Sequence, residues 1–124
     1  ESVPAPEMRP AEGAQIGVVT VGSCRGAVIE AIDRLADEGV AVDYMRVRGF
    51  PFAESVEEFL QAHDTNIVVE QNRDAQLLRL LILETGIEKR KLESVRDYRG
   101  FPLTTEFVLD GVREQLGLIA TEVG

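Results

Sequence analysis

Four times along the chain a short apolar run breaks at a polar or glycine-containing junction and yields to residues at helical spacing. Alternation of this kind, with short connections, is met by a parallel sheet wound through right-handed crossovers. The clearest instance is Ile67-Val68-Val69, which stops at Glu70-Gln71-Asn72-Arg73-Asp74 and is followed by a leucine-rich helical pattern from Ala75 to Thr85, closed by Gly86. Its counterpart is the apolar run Ile16 to Val21, which meets Gly22-Ser23-Cys24-Arg25-Gly26 and then a helical stretch from Ala27 to Glu38 ended by Gly39. In that stretch Val28, Ile29, Ile32, Leu35 and Ala36 share one face, while Glu30 and Arg34 form an i,i+4 pair on the other.

The remaining elements follow the same rules. Val42 to Arg48 alternates but carries too many charges for a strand covered on both faces, which places it nearer an edge. Ser55 with Glu58 three residues later fits a capping box, opening a short helix that buries Val56, Phe59 and Leu60. Leu92 to Val95 reads as a weaker strand, and Thr104 to Leu116 as a last helix started by a threonine. The simplest strand order is two, one, three, four, which brings both polar junctions to one crevice where the winding reverses.

Bulk composition narrows the class. At 124 residues and 44% hydrophobic content, the chain is long enough for one domain that buries roughly two thirds of its unfolded surface. Residues 15–124 read as that single domain. Residues 1–14, with Pro4, Pro6 and Pro10, have the composition of an extended linker, as expected of a domain within a larger protein. No apolar stretch approaches the ~20 residues of a spanning helix, so a cytoplasmic protein without membrane contact is expected. A formal net charge of −9, from 22 acidic and 13 basic residues, opposes nucleic acid as a partner. One cysteine cannot supply a thiolate metal or cluster site, and no metal-ligating set is assigned.

Two junctions carry the candidate ligand or interface residues. The Gly22–Gly26 turn feeds a helix start whose N–H groups favour an anion, and Ser23, Cys24 and Arg25 add a hydroxyl, a thiol and a guanidinium. It matches neither the dinucleotide fingerprint nor a P-loop, and a tight turn with a helix start is favoured over a contact to a ligand or neighbouring domain. A stand-alone module binding a phosphorylated ligand there is the alternative reading. Gln71, Asn72 and Arg73 can orient a ligand or satisfy loop backbone, with Asp74 a plausible N-cap. No catalytic residue is assigned. Glu70 has no second carboxylate placed beside it, and His63, the sole histidine, is expected in a loop at the opposite end of the sheet from Cys24. A phosphoacceptor receiver domain would need aspartates where Thr20, Val21 and Gly22 stand.

The helix after the second junction has an apolar surplus. Leu77, Leu78, Leu80, Leu81, Ile82 and Leu83 cover most of its circumference, more than one sheet face can bury; either the C-terminal segment covers the surplus or, as favoured, Leu78, Leu81 and Ile82 meet another domain or subunit.

Together, Gly17 to Ala27, Val68 to Leu77 and Tyr98-Arg99-Gly100-Phe101-Pro102-Leu103-Thr104 resemble the C-terminal domain of the 2-oxoacid:ferredoxin oxidoreductase alpha subunit, over nearly the whole chain after Gly13. That domain is similar to the C-terminal domain of transketolase. The resemblance implies a three-layer α/β/α sandwich with a mostly parallel sheet, often completed by an antiparallel strand. It further implies a complete, oligomeric enzyme that oxidatively decarboxylates a 2-oxoacid to an acyl-coenzyme A and passes electrons to ferredoxin, using thiamine diphosphate, magnesium and an iron–sulfur cluster. The implied partners are the other domains and subunits of that oxidoreductase, with coenzyme A and ferredoxin. This domain would hold none of the cofactors, and alone it would be inactive. Family members commonly have threonine where Cys24 stands and glycine where Ala75 stands.

Overall fold

A computed structural model describes residues 5–21, 25–47, 52–70, 76–96 and 104–123. Its elements run β1 (Glu7–Arg9), β2 (Ile16–Val21), α1 (Arg25–Asp37), β3 (Val42–Val47), α2 (Glu54–Gln61), β4 (Thr65–Glu70), α3 (Gln76–Thr85), β5 (Leu92–Arg96) and α4 (Thr105–Val123), with a 3-10 turn at Lys89–Lys91 before β5. The sheet order is β1-β3-β2-β4-β5. Its four parallel strands stand in the expected order two, one, three, four, and β1 adds the antiparallel member.

That added strand corrects one expectation. Glu7–Arg9 is not linker, because it pairs with β3 in the register Glu7 to Arg46, Met8 to Met45 and Arg9 to Tyr44. β3 does lie near an edge, one strand in from it, and its charges have specific uses: Asp43 accepts a backbone N–H from Ala11 at 2.7 Å, and Arg46 lies 3.5 Å from Glu7. The capping box also fails, since α2 begins one residue before Ser55, with Ala53 as a cap that makes no side-chain bond. The first turn of α2 instead carries Glu54 and Glu57, which favour the helix dipole.

Strand alternation sorts the core into two layers. Val18, Tyr44, Ile67, Val69 and Val95 face α1 and α4, where they meet Val28, Leu35, Val108 and Val112. Val19, Met45, Val47, Val68 and Leu92 face α2 and α3, where they meet Val56, Leu60, Leu77 and Leu81. Helix ends are set by local chemistry. Gly39, at φ +88°, closes α1 with Val40 N–H donating to the Leu35 carbonyl at 2.8 Å. Thr104 caps α4 by accepting the Phe107 N–H at 3.1 Å. Across their solvent sides α1 and α4 are joined by Arg34 to Glu106 and by Arg113 to Glu38.

Candidate functional site

The two central strands carry the crevice. β2 and β4 are adjacent and in parallel register, Thr20 opposite Val69, so the junctions after Val21 and Glu70 leave from neighbouring points at the same end of the sheet. The chain runs from β2 outward through α1 on one face and from β4 outward through α3 on the other. This is the reversal at which open α/β sheets bind ligands.

Of the residues anticipated there, Ser23, Cys24, Gln71, Asn72 and Arg73, and with them the proposed Asp74 cap, lie outside the described residues. Arg25 is the first residue of α1. The two junctions differ in a way that residue types alone did not disclose. Glu70 is 1% exposed and turns its carboxylate onto the start of α3, where it accepts the Leu77 N–H at 2.8 Å and the Leu78 N–H at 3.2 Å. The positive end of that helix is therefore occupied by a carboxylate from the chain itself, so an exogenous anion has to compete with it. On the other face of the sheet, one residue inside the end of β2, the Thr20 and Tyr44 hydroxyls are hydrogen-bonded at 2.8 Å and wholly buried.

His63 does lie in a loop, before β4, but it is 3% exposed rather than solvated. Its Nε2 is 2.8 Å from Asp43 Oδ2 and its Nδ1 is 3.0 Å from Asn66 Oδ1. Asn66 Nδ2 in turn donates to the Leu60 carbonyl at 2.9 Å and the Lys91 carbonyl at 3.3 Å, which fixes the amide's orientation. Each ring nitrogen thus has an oxygen partner within hydrogen-bond distance, so the ring is held at both ends. Phe59 packs edge-on to the ring at 4.7 Å, and a Cβ on Gly17 would lie 2.4 Å from Asn66 Oδ1 and 2.8 Å from His63 Nδ1. The glycine in β2 is what admits the network. This cluster sits at the strand beginnings, remote along β4 from Glu70, and sequence reasoning missed it because only the cross-strand register brings residues 17, 43, 63 and 66 together.

Among the interface candidates Leu81 is fully enclosed, at 0% exposure, and belongs to the core; Leu78 and Ile82 are half-buried against the same layer. The assignment of Leu81 to an interface is therefore corrected. The apolar surplus of α3 is instead Leu83, 76% exposed, with Leu80 at 37%. A groove of about 380 Å³ beside β5 and α4, lined by Val95, Phe107, Asp110 and Gly111, takes none of its described lining from β2 or β4. No group of three or more His, Cys, Asp or Glu able to hold a metal ion occurs among the described residues, and none of the described helices is long and apolar enough to cross a membrane.

No protein-family model matches the chain. Subunit alpha of 2-oxoacid:ferredoxin oxidoreductase 2 from Aeropyrum pernix is 35% identical over 105 residues, which is 83% of this chain. A 2-oxoglutarate:ferredoxin oxidoreductase from Magnetococcus marinus, solved with 2-oxoglutarate, coenzyme A and succinyl-CoA bound, superposes with a TM-score of 0.80 at 31% identity over 91% of the chain. The chain is a homologue of one segment of the 2-oxoacid:ferredoxin oxidoreductase alpha subunits. It spans 16% of the length of the curated alpha subunits it matches and 20% of the Magnetococcus marinus chain. A split-gene transketolase, described as an inactive beta4 tetramer, shares the fold at 20% identity, with a TM-score of 0.65 over 90% of this chain and 42% of its own. The transketolase C-terminal-like sandwich expected for an alpha-subunit segment is the architecture found.

Proposed function

We propose that the chain is a non-catalytic assembly domain of a thiamine-diphosphate-dependent 2-oxoacid:ferredoxin oxidoreductase alpha subunit. The whole enzyme would convert a 2-oxoacid to an acyl-coenzyme A in the cytoplasm and deliver electrons to ferredoxin through an iron–sulfur cluster. Its thiamine diphosphate and magnesium would be held by other domains. The carrying observation is the outer face of α3: Leu83, with Leu80 beside it, leaves apolar surface on a helix whose inner residues, Leu77 and Leu81, are already satisfied by the core. Homologous alpha subunits about five times as long, as the 16% coverage by 105 aligned residues implies, have ample further chain to cover such a face. The junction residues Ser23, Cys24, Arg25, Gln71, Asn72 and Arg73 would line the rim where this domain meets the rest of the enzyme, on the coenzyme A side.

The test uses the purified chain with thiamine diphosphate, magnesium, a 2-oxoacid, coenzyme A and an electron acceptor. The expected result is no turnover from the chain alone, and capture of the remaining alpha-subunit segment that weakens at least tenfold in Leu83→Ser. Turnover by the isolated chain would overturn the reading. Capture unaffected by Leu83→Ser and Leu80→Ser together would remove α3 as the docking face. Calorimetry with coenzyme A and nucleotides tests the alternative ligand-binding module: tight binding by the chain alone, lost in Arg25→Ala, would favour that module over assembly.

A further inference from the structure

β1 is held to the domain by a different balance of contacts from the strands behind it. It pairs over three residues only, and Met8 stays 42% exposed, so its docking removes little apolar surface from water. Two of its ties are ion pairs with solvent access, Arg9 to Asp33 at 2.6 Å and Glu7 to Arg46 at 3.5 Å, which water and salt weaken. A third tie is better shielded. Just past β1 the Ala11 N–H donates to Asp43 Oδ1 at 2.7 Å, while Asp43 Oδ2 receives the buried His63 ring at 2.8 Å. One carboxylate thus faces the peripheral segment with one oxygen and an anchored core residue with the other. His63 cannot swing to follow a departing Asp43, since Asn66, Phe59 and the space over Gly17 hold the ring in place.

We propose that residues 7–11 form a detachable strap over the outer edge of β3, latched at Ala11 by Asp43, with His63 as the residue that fixes the aim of the latch. The strap opens as a unit while β2, β4 and both core layers stay folded, because among the described residues those layers draw on none before Ile16. Opening bares the backbone of Tyr44, Met45 and Arg46 on the side β1 had covered, an unpaired edge of the kind that extended segments join.

Native-state hydrogen exchange tests it, read on the amides of residues 7–9 and 11 against those of Ile67 and Val68 in β4. The strap amides are expected to exchange at least tenfold faster than the β4 pair in the unaltered chain. Ala11→Pro, which deletes the donated N–H without touching the core, and Asp43→Asn, which removes the charge, should each raise strap exchange a further tenfold or more and leave β4 unchanged. His63→Gln should do the same where it leaves the β4 amides protected. Equal protection of strap and β4, or acceleration of both together in Ala11→Pro, would overturn the proposal.

Discussion

Gly17→Ala adds one methyl group at a point of β2 already filled by neighbouring side chains. The new Cβ would meet Asn66 Oδ1 at 2.4 Å, Phe59 Cε1 at 2.7 Å and His63 Nδ1 at 2.8 Å, all closer than real Cβ contacts allow. β2 cannot retreat, because it is hydrogen-bonded to β3 on one side and β4 on the other. Nor can the partners give easily. Asn66 is pinned by the Leu60 and Lys91 carbonyls and His63 by Asp43, so relief means breaking a buried hydrogen bond. Overpacking of a filled core costs about 1–3 kcal/mol, and a buried polar group left without its partner about another 1–3 kcal/mol. The reduced freedom of the unfolded chain returns only about 0.4–1 kcal/mol. A net loss of about 1–5 kcal/mol is expected, a large share of the roughly 5–15 kcal/mol that holds a domain folded. For a chain of this size a loss near 3 kcal/mol lowers Tm by on the order of 10 °C. Gly117→Ala is the matched control, since a Cβ there meets nothing within 4 Å and helix propensity favours alanine by about 0.5–1 kcal/mol. Urea unfolding of both variants at unchanged m-value decides the matter. Gly17→Ala within about 0.5 kcal/mol of the parent, well under the 1–3 kcal/mol of simple overpacking, would refute the account of the network as a rigid, fully committed cluster.

Thr20→Val removes the buried hydrogen bond between the Thr20 and Tyr44 hydroxyls and should cost about 0.5–1.5 kcal/mol, and combining it with Tyr44→Phe should give a less than additive loss, a double-mutant coupling measurable by denaturant titration. Glu70→Gln removes the charge from two N–H bonds at the start of α3 and should cost about 1.5–3 kcal/mol, with faster amide exchange at Leu77 and Leu78 as the local sign. Leu81→Ala and Leu83→Ala separate core from surface on one helix: thermal unfolding should show a loss of about 2–5 kcal/mol for the enclosed residue and under about 0.5 kcal/mol for the exposed one.

Much of the architecture was legible because it rests on period and punctuation. The apolar runs from Ile16 and Ile67, the glycines after α1 and α3, and the alternation of strand and helix were sufficient to order the four parallel strands. What escaped was whatever depends on pairing between distant segments. Glu7–Arg9 has three residues next to prolines and no apolar signature; it is a strand because β3 offers it an edge. The charges of β3 pointed to an edge because Asp43 and Arg46 have no visible partners until Ala11, His63 and Glu7 are brought to them. Ser55 had cap chemistry, yet the helix starts at Glu54. Leucine count identified α3 as oversupplied, but only its rotation against the sheet shows that Leu81 points in and Leu83 points out. At the crevice, residue types could nominate Gln71, Asn72 and Arg73, whereas the capping role of Glu70 needed the return path of α3.

Val18 and Val19 are joined by one peptide bond and yet report to different interiors, one facing α1 and α4, the other α2 and α3. The sheet's backbone acts as a partition between two separately filled chambers. A volume change on one side is absorbed by its own set of neighbours, so substitutions in the two chambers should combine nearly additively while those within a chamber interfere. The chamber holding α3 can thus be remodelled to suit whatever lies against that helix while the packing under α1 and α4 keeps its original composition.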